Sequence, residues 1–411
     1  MKINKHCFPN GLRLVHYEDT STQMVALNIV YDVGARDEHP EHTGFAHLFE
    51  HLMFGGSAHI PDYDTPLQLA GGENNAWTNN DITNYYLTVP KPNVETAFWL
   101  ESDRMLELAF SEQSLEVQRG VVMEEFKQRC LNQPYGDVGH LFRPLAFRVH
   151  PYRWPTIGKK LSHIEQATLD EVKSFFYRFY APNNAVLAVT GNISWDETVK
   201  LTEKWFAPIP RRDVPVRQLP QEPEQTQERR LTVERNVPLD ALFMGYHMCS
   251  REGADYYAFD ILSDILSNGR SSRLNRRLVQ EQNIFSGIDA YISGTRDAGL
   301  LQISGKPAAG VSLEQAEAAV RKELEELQRS PVDGQELEKV KNKFESTQIF
   351  GNINYLNVAT NLAWFELTGK AEDIDLEVER YRSVTTEQLH TVAQRTFCES
   401  NAVVLYYKSD K

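Results

Sequence analysis

The chain carries the same pattern twice. "TLDEVKSFFYRFYAPNNAVLAV", beginning at Thr168, matches "TTEQLHTVAQRTFCESNAVVLYY", beginning at Thr385, without a gap. Arg178, Asn184, Ala185 and Val186 fall over Arg395, Asn401, Ala402 and Val403, an offset of 217. A second pair, "MVALNIVYDVGARDE" (Met24–Glu38) and "ALFMGYHMCSREG" (Ala241–Gly253), sets Arg36 over Arg251 at an offset of 215. Two separate segments at nearly one offset point to two homologous halves of roughly 200 residues each. A chain of 411 residues is also too long for one ordinary core.

Each copy of the first segment reads as a helix, a short turn and an apolar strand. Within a half, strands come first ("LRLVHYE", "MVALNIVYDV"), then helices, a strand such as "NYYLTVP", more helices and a last strand. That order predicts an α+β fold: two homologous α/β sandwich domains, each a sheet with helices covering one face. The join is expected in "PIPRRDVPVRQLPQEPEQTQERR" (Pro208–Arg230), which is rich in Pro and charge and lacks periodicity. The expected division is a domain over 1–215, a linker over 216–230 and a second domain over 231–411.

Only the first half carries a cluster with chemistry in it. "TGFAHLFEHLMFGGS" (Thr43–Ser57) reads as a short helix with Thr43 as N-cap and Gly55-Gly56 as its stop. At 100° per residue, Glu50 lies about 60° to one side of His47 and His51 about 40° to the other. The three polar residues share a face, where two imidazoles at i and i+4 can ligate one ion and the carboxylate can reach its water. Apolar Phe45, Leu48, Phe49, Leu52, Met53 and Phe54 surround them, which argues against a fully solvated face. His42 and His59 flank the cluster and are not expected to ligate. The second half has "YYAFDILSDILSNGRSSRL" in this place, without a histidine.

A catalytic zinc needs a third protein ligand and an open position. "SEQSLEVQRGVVMEEFKQRC" (Ser111–Cys130) reads as a helix capped by Ser111 with an apolar stripe of Leu115, Val122, Met123, Phe126 and Cys130. Relative to Leu115, Glu125 projects about 80° away, at the border of the stripe, and Glu124 about 180° away, into solvent. Glu125 is therefore the better candidate for a buried ligand.

With those residues in place the chain resembles the pitrilysin family of inverzincin metallopeptidases, which includes the insulin-degrading enzyme and the mitochondrial processing peptidase. H-x-x-E-H is the inverzincin signature. In the family a glutamate follows about 75 residues later in a "VV-x-EE" helix; here His51 to Glu125 is 74 residues, within "GVVMEEF". "HPYRWPTIGK" (His150–Lys159), "YAPNNAVLAVTGNI" and the duplicated halves extend the resemblance over nearly the whole chain.

The resemblance implies a zinc-dependent endopeptidase with one Zn2+ per chain held by His47, His51 and Glu125, and Glu50 as general base. It implies that "NNAWTNNDITNYYLTVP" (Asn74–Pro90) is the edge-strand region beside which an extended peptide substrate lies, with Asn75, Ala76 and Thr78 as substrate-binding residues. Trp77 and Tyr85 in the same stretch fit sheet packing as well as substrate contact. It also places Gln118 where the family often has a glutamate that hydrogen-bonds around the metal ligands, and Val279 and Ser286 where it usually has a substrate-binding Arg and Tyr. Arg276, Arg277 or Phe285 would have to compensate, or a partner chain supply the pair. Family members build a closed chamber from four such domains, so two domains per chain imply a homodimer, or a heterodimer with a paralogous chain. The alternative reading is a non-catalytic or partner-dependent subunit of a processing-peptidase-like complex.

Bulk properties narrow the remaining classes. A net charge of −14 argues against a nucleic-acid partner, since phosphates demand a basic face. The longest apolar run, "MVALNIVY", is far short of a membrane span. The N-terminus lacks the apolar core of a signal peptide, and Cys7, Cys130, Cys249 and Cys398 lie far apart without C-x-x-C spacing. The expectation from these is a cytoplasmic protein with free thiols and no membrane partner.

Overall fold

Apolar strands that alternate poorly need cover on both faces, and both halves of the chain contain them. A computed structural model describes residues 1–410, and in it each half forms one sheet. The first contains β1 (Asn4–Cys7), β2 (Arg13–Glu18), β3 (Met24–Tyr31), β4 (Glu73–Thr78), β5 (Thr83–Pro90) and β6 (Ala185–Gly191), in the order β1-β2-β6-β3-β5-β4. The second contains β7 (Arg229–Arg235), β8 (Ala241–Met248), β9 (Phe285–Ile292), β10 (Gly299–Pro307) and β11 (Ala402–Ser409), in the order β7-β11-β8-β10-β9. Apart from the extra β1, the two orders are the same. In each sheet the first shared strand runs parallel to the last strand of the half, and the other neighbours are antiparallel.

The repeat reaches individual hydrogen bonds. Thr168 and Thr385 cap the helices Leu169–Phe179 and Thr386–Thr396, each hydroxyl accepting from the backbone N–H three residues on. Asn184 donates its side-chain amide to the carbonyls of Phe179 and Asp32. Asn401 donates to those of Thr396 and His247, the same two places at offsets of 217 and 215. A side-chain amide that ties the last strand to the preceding helix and to the neighbouring strand is thus used twice.

Both faces of each sheet are covered, not the one face expected. On one face of the first sheet, Leu14, Leu27, Ile29, Leu187 and Val189 pack with Phe45, Phe49, Phe98 and Phe176. On the other, Val15, Ala26, Val30, Val186 and Ala188 pack with Val358, Leu362 and Leu367 of the helix Tyr355–Thr368. In the second sheet Met244, Leu301, Ile303 and Val404 pack with Phe259, Leu262 and Leu389. Its other face, with Val403, Leu405 and Tyr407, is covered by Phe142, Ala146 and Phe147 from the region of the helix Val138–Ala146.

The division of the chain differs accordingly from 1–215, 216–230 and 231–411. One unit comprises Met1–Leu131, Trp154–Pro220 and Ile349–Leu376; the other comprises Asn132–Arg153, Gln221–Gln348 and Glu377–Lys411. The physical reason is visible in the strands. All of β6 and all of β3 after Met24 are buried, and leaving a Val or Leu there uncovered costs about 1.5–3 kcal/mol each. The expected linker is also fastened down. Arg217 pairs with Asp32 and Asp37 in the first unit, and Glu222 accepts from the backbone N–H groups of Arg148, Val149 and His150 in the second. No helix among the described residues is long and apolar enough to cross a membrane.

Candidate metal centre

The helix Phe45–Leu52 buries Phe45, Leu48, Phe49 and Leu52 in the first core, which fixes its roll and turns Glu50 and His51 to the opposite side. Its start is built differently from the expectation. Thr43 is not the cap: its hydroxyl meets His163 Nδ1 at 2.9 Å and accepts from the Lys159 N–H at 2.8 Å. The buried Glu38 caps the helix instead, accepting from the N–H groups of Gly44 and Ala46 at 2.9 Å each. Gly44 sits at φ +89°, and a Cβ there would lie 2.7 Å from Ile164 and 2.9 Å from the Ile157 carbonyl, so only glycine fits. Flanking His42 pairs with Glu171 and His59 with Asp103, outside the cluster.

The second helix, Glu112–Phe126, is capped by Ser111, which accepts from the Ser114 N–H at 3.0 Å. Leu115 and Val122 dock it into the same core. That leaves Glu124 outside, 56% exposed and 3.5 Å from Lys127, and Glu125 inside at 18%.

The two helices bring His47, His51 and Glu125 together, with one ligand atom of each within 4.8 Å of the others. Glu125 Oε2 lies 3.5 Å from His47 Nε2 and 3.3 Å from His51 Nε2. The imidazole rings stand 4.9 Å apart at 82°. Burial lowers the pKa of His47 to about 4, leaving a neutral imidazole. Its contact with Glu125 is therefore not an ion pair, whereas a cation shared by the three atoms satisfies every one of them. A tetrahedral zinc with bonds of about 2.0–2.1 Å sets its ligand atoms about 3.4 Å apart, and the two measured separations straddle that value. Two imidazoles and one carboxylate also match a catalytic rather than a structural donor set, since they leave a fourth position. The residues present thus fit zinc. Among the described residues no other group of three His, Cys, Asp or Glu side chains converges in this way.

Glu50 sits beside the trio, half-buried. Burial raises its carboxyl pKa, partly opposed by a hydrogen bond with Thr78 and by the neighbouring His51. Glu125 is shifted the other way, lowered first by its hydrogen bond with His51. Two carboxylates in one site are thus pushed apart in acidity, the arrangement expected where one is a ligand and the other a base.

The remaining candidates scatter. β4 is an edge strand, paired on one side with β5 only. Asn75 is exposed on it, its Oδ1 accepting from the Ala76 N–H at 2.8 Å; Ala76 packs against the core; Thr78 turns to Glu50. Trp77 packs on the other face of the sheet, and Tyr85 is fully buried with its hydroxyl donating to the Phe49 carbonyl. Gln118 lies half-buried on the second helix near Gly55. His47 Nδ1 is without a hydrogen-bond partner among the described residues. In the second unit Val279 packs against the core, and Ser286 donates to the Lys306 carbonyl. Arg277 pairs with Glu323 and Glu326, Arg276 with Glu281, and Phe285 is fully buried. Arg277 and Phe285 are thus engaged within their own unit.

Comparison with known proteins fits this geometry. Residues 13–138 match the family described as insulinase (peptidase family M16), and residues 166–344 match the peptidase M16 inactive domain. The zinc protease PqqE of Helicobacter pylori is 26% identical over 405 residues, covering 97% of this chain and 91% of that one. The zinc protease YmxG of Bacillus subtilis is 24% identical, covering 98% of each. The crystal structure of a protease from Helicobacter pylori superposes with a TM-score of 0.94 at 26% identity, covering 99% of both chains.

Proposed function

We propose that this chain, which belongs to peptidase family M16 (the insulinase or pitrilysin family), is a zinc-dependent endopeptidase acting on peptides or unfolded segments. One observation carries the reading: a single carboxylate oxygen of Glu125 faces two imidazole nitrogens at 3.3 and 3.5 Å. His47, His51 and Glu125 are the residues that would hold one zinc. When bound there, zinc supplies Lewis acidity, lowering the pKa of water and polarising the scissile carbonyl. Glu50 takes the proton of the attacking water and hands it to the leaving amine nitrogen. Its raised pKa makes it a stronger base than an exposed carboxylate, and Thr78 orients it. The open edge of β4 accepts the peptide as an added strand, so that main-chain hydrogen bonds bind it and Asn75 flanks it.

Glu50→Gln is the direct test. Cleavage of a quenched peptide is expected to fall by about 10²–10⁴-fold, with metal content unchanged near one per chain by elemental analysis. Wild-type activity in Glu50→Gln would remove Glu50 from the mechanism.

A specific observation keeps a second reading alive. The expected Arg and Tyr positions hold Val279 and Ser286, so substrate handling depends on residues from elsewhere. A dimer, of two copies or with a paralogous chain, supplies four domains to a chamber that admits peptides and excludes folded proteins. Measuring size and peptidase activity on the purified chain alone separates the two: an active homodimer supports the endopeptidase, and an inactive monomer supports a partner-dependent subunit.

A further inference from the structure

Glu125 divides its two oxygens. Oε2 faces the imidazole nitrogens of His47 and His51, and Oε1 forms an ion pair with Arg129 Nη2 at 2.9 Å. Arg129 lies one turn further on, in the short π-helical segment Lys127–Leu131 that follows the helix Glu112–Phe126. Such widened turns recur at functional sites, because they re-aim side chains relative to a regular helix. Here the re-aimed residue lands on the non-facing oxygen of the candidate third ligand.

We propose that Arg129 is a positioning residue for the zinc site: it occupies Glu125 Oε1, so that the carboxylate offers the metal one oxygen instead of two. The inference rests on the zinc reading above. A carboxylate free to rotate about its terminal bond can chelate an ion through both oxygens, which fills the position that water needs. A guanidinium on one oxygen removes that option and fixes the plane of the group.

Stability does not account for the pair. Arg129 is 68% exposed, and ion pairs at such sites contribute about 0–1 kcal/mol. What distinguishes it from an incidental surface pair is its partner, which is 18% exposed and already held on its other oxygen.

The test compares wild type, Arg129→Ala and Arg129→Lys, stripped of metal and titrated with zinc against a chromophoric chelator. Cobalt(II) spectra of the same three proteins report coordination number. Arg129→Ala is expected to bind zinc about 10–100-fold more weakly. Its cobalt complex should lose visible absorption intensity as Glu125 becomes bidentate. Arg129→Lys should recover part of the affinity, and the metal-free proteins should unfold at the same temperature. Should wild type itself take up no zinc, the underlying reading fails. Should wild type take up zinc and Arg129→Ala match it in affinity and cobalt spectrum, the role of Arg129 alone is overturned.

Discussion

Two helices occupy the same place in the two halves and treat their polar residues in opposite ways. In the second half, Tyr256–Ser267 carries Asp260 and Asp264, both raised in pKa by burial. Each is satisfied from within its own unit, Asp260 by the Tyr381 hydroxyl and Asp264 by the Asn268 amide. In the first half, Phe45–Leu52 carries His47, Glu50 and His51, whose facing partner is another acceptor group, the Glu125 carboxylate. One sheet-and-helix plan thus supports a helix whose carboxyls are satisfied by neutral donors and a helix whose imidazoles converge on a carboxylate. The two halves share the scaffold, and the convergent His47, His51 and Glu125 are found in the first of them.

That contrast can be broken at several points. The largest effect is expected at the ligands. His51→Ala should abolish stoichiometric zinc binding by elemental analysis and leave the melting of the metal-free protein near wild type. Phe259→Ala, in the second half, should do the reverse: metal content stays and stability falls by about 3–5 kcal/mol, since Phe259 is 2% exposed in its core. Metal loss in Phe259→Ala, or retention in His51→Ala, would dissolve the division of roles.

A smaller effect sharpens the equivalence of the scaffolds. Asn184→Ala and Asn401→Ala each remove two side-chain hydrogen bonds to backbone carbonyls, and each should cost about 1–3 kcal/mol in denaturant unfolding, although the Asp32 carbonyl keeps a bond from Arg217. A large cost in one and none in the other would mean that the repeated hydrogen bonds are a likeness of form only.

A last effect concerns pH and runs in opposite senses. Burial raises the Glu38 carboxyl to about 8. Its contribution to the first unit is complete below the ordinary value of 4.5 and is lost as pH rises through about 8. Burial alone would also raise Glu317, but hydrogen bonds from Arg230, Tyr406 and Arg321 outweigh it and hold it at about 2. Its contribution to the second unit is present above 4.5 and is lost as pH falls through about 2. Hydrogen exchange, corrected for intrinsic rates, should quicken in β6 above about pH 8 and in β11 toward about pH 2. Identical responses in the two strands would erase the difference.

Much of this was legible in the sequence because it is local or periodic. The offset of 217 located the paired helices and strands, and helical spacing alone separated inward Glu125 from outward Glu124. What escaped depends on residues distant in sequence. Glu38 caps a helix six to eight residues away around a glycine at positive φ, whereas local sequence points to Thr43. Arg129 lies where a regular α-helix was expected to continue, and a π turn changes where it points. The covering of both sheet faces did leave a signal, since "MVALNIVY" and "AVLAV" are apolar at consecutive positions, a pattern that suits strands buried on two sides.

The helix Tyr355–Thr368 closes the face of the first sheet that carries Val15, Val30 and Val186. On the ribosome, therefore, the half bearing the histidines cannot finish its core when its own strands have emerged. It must wait, with an apolar surface uncovered, until residue 368 has been made. A fragment cut at 216–230 inherits that unfinished state permanently. The unit that bears the histidines is the first to begin synthesis, yet its sheet is covered only after most of the second unit's strands have been made.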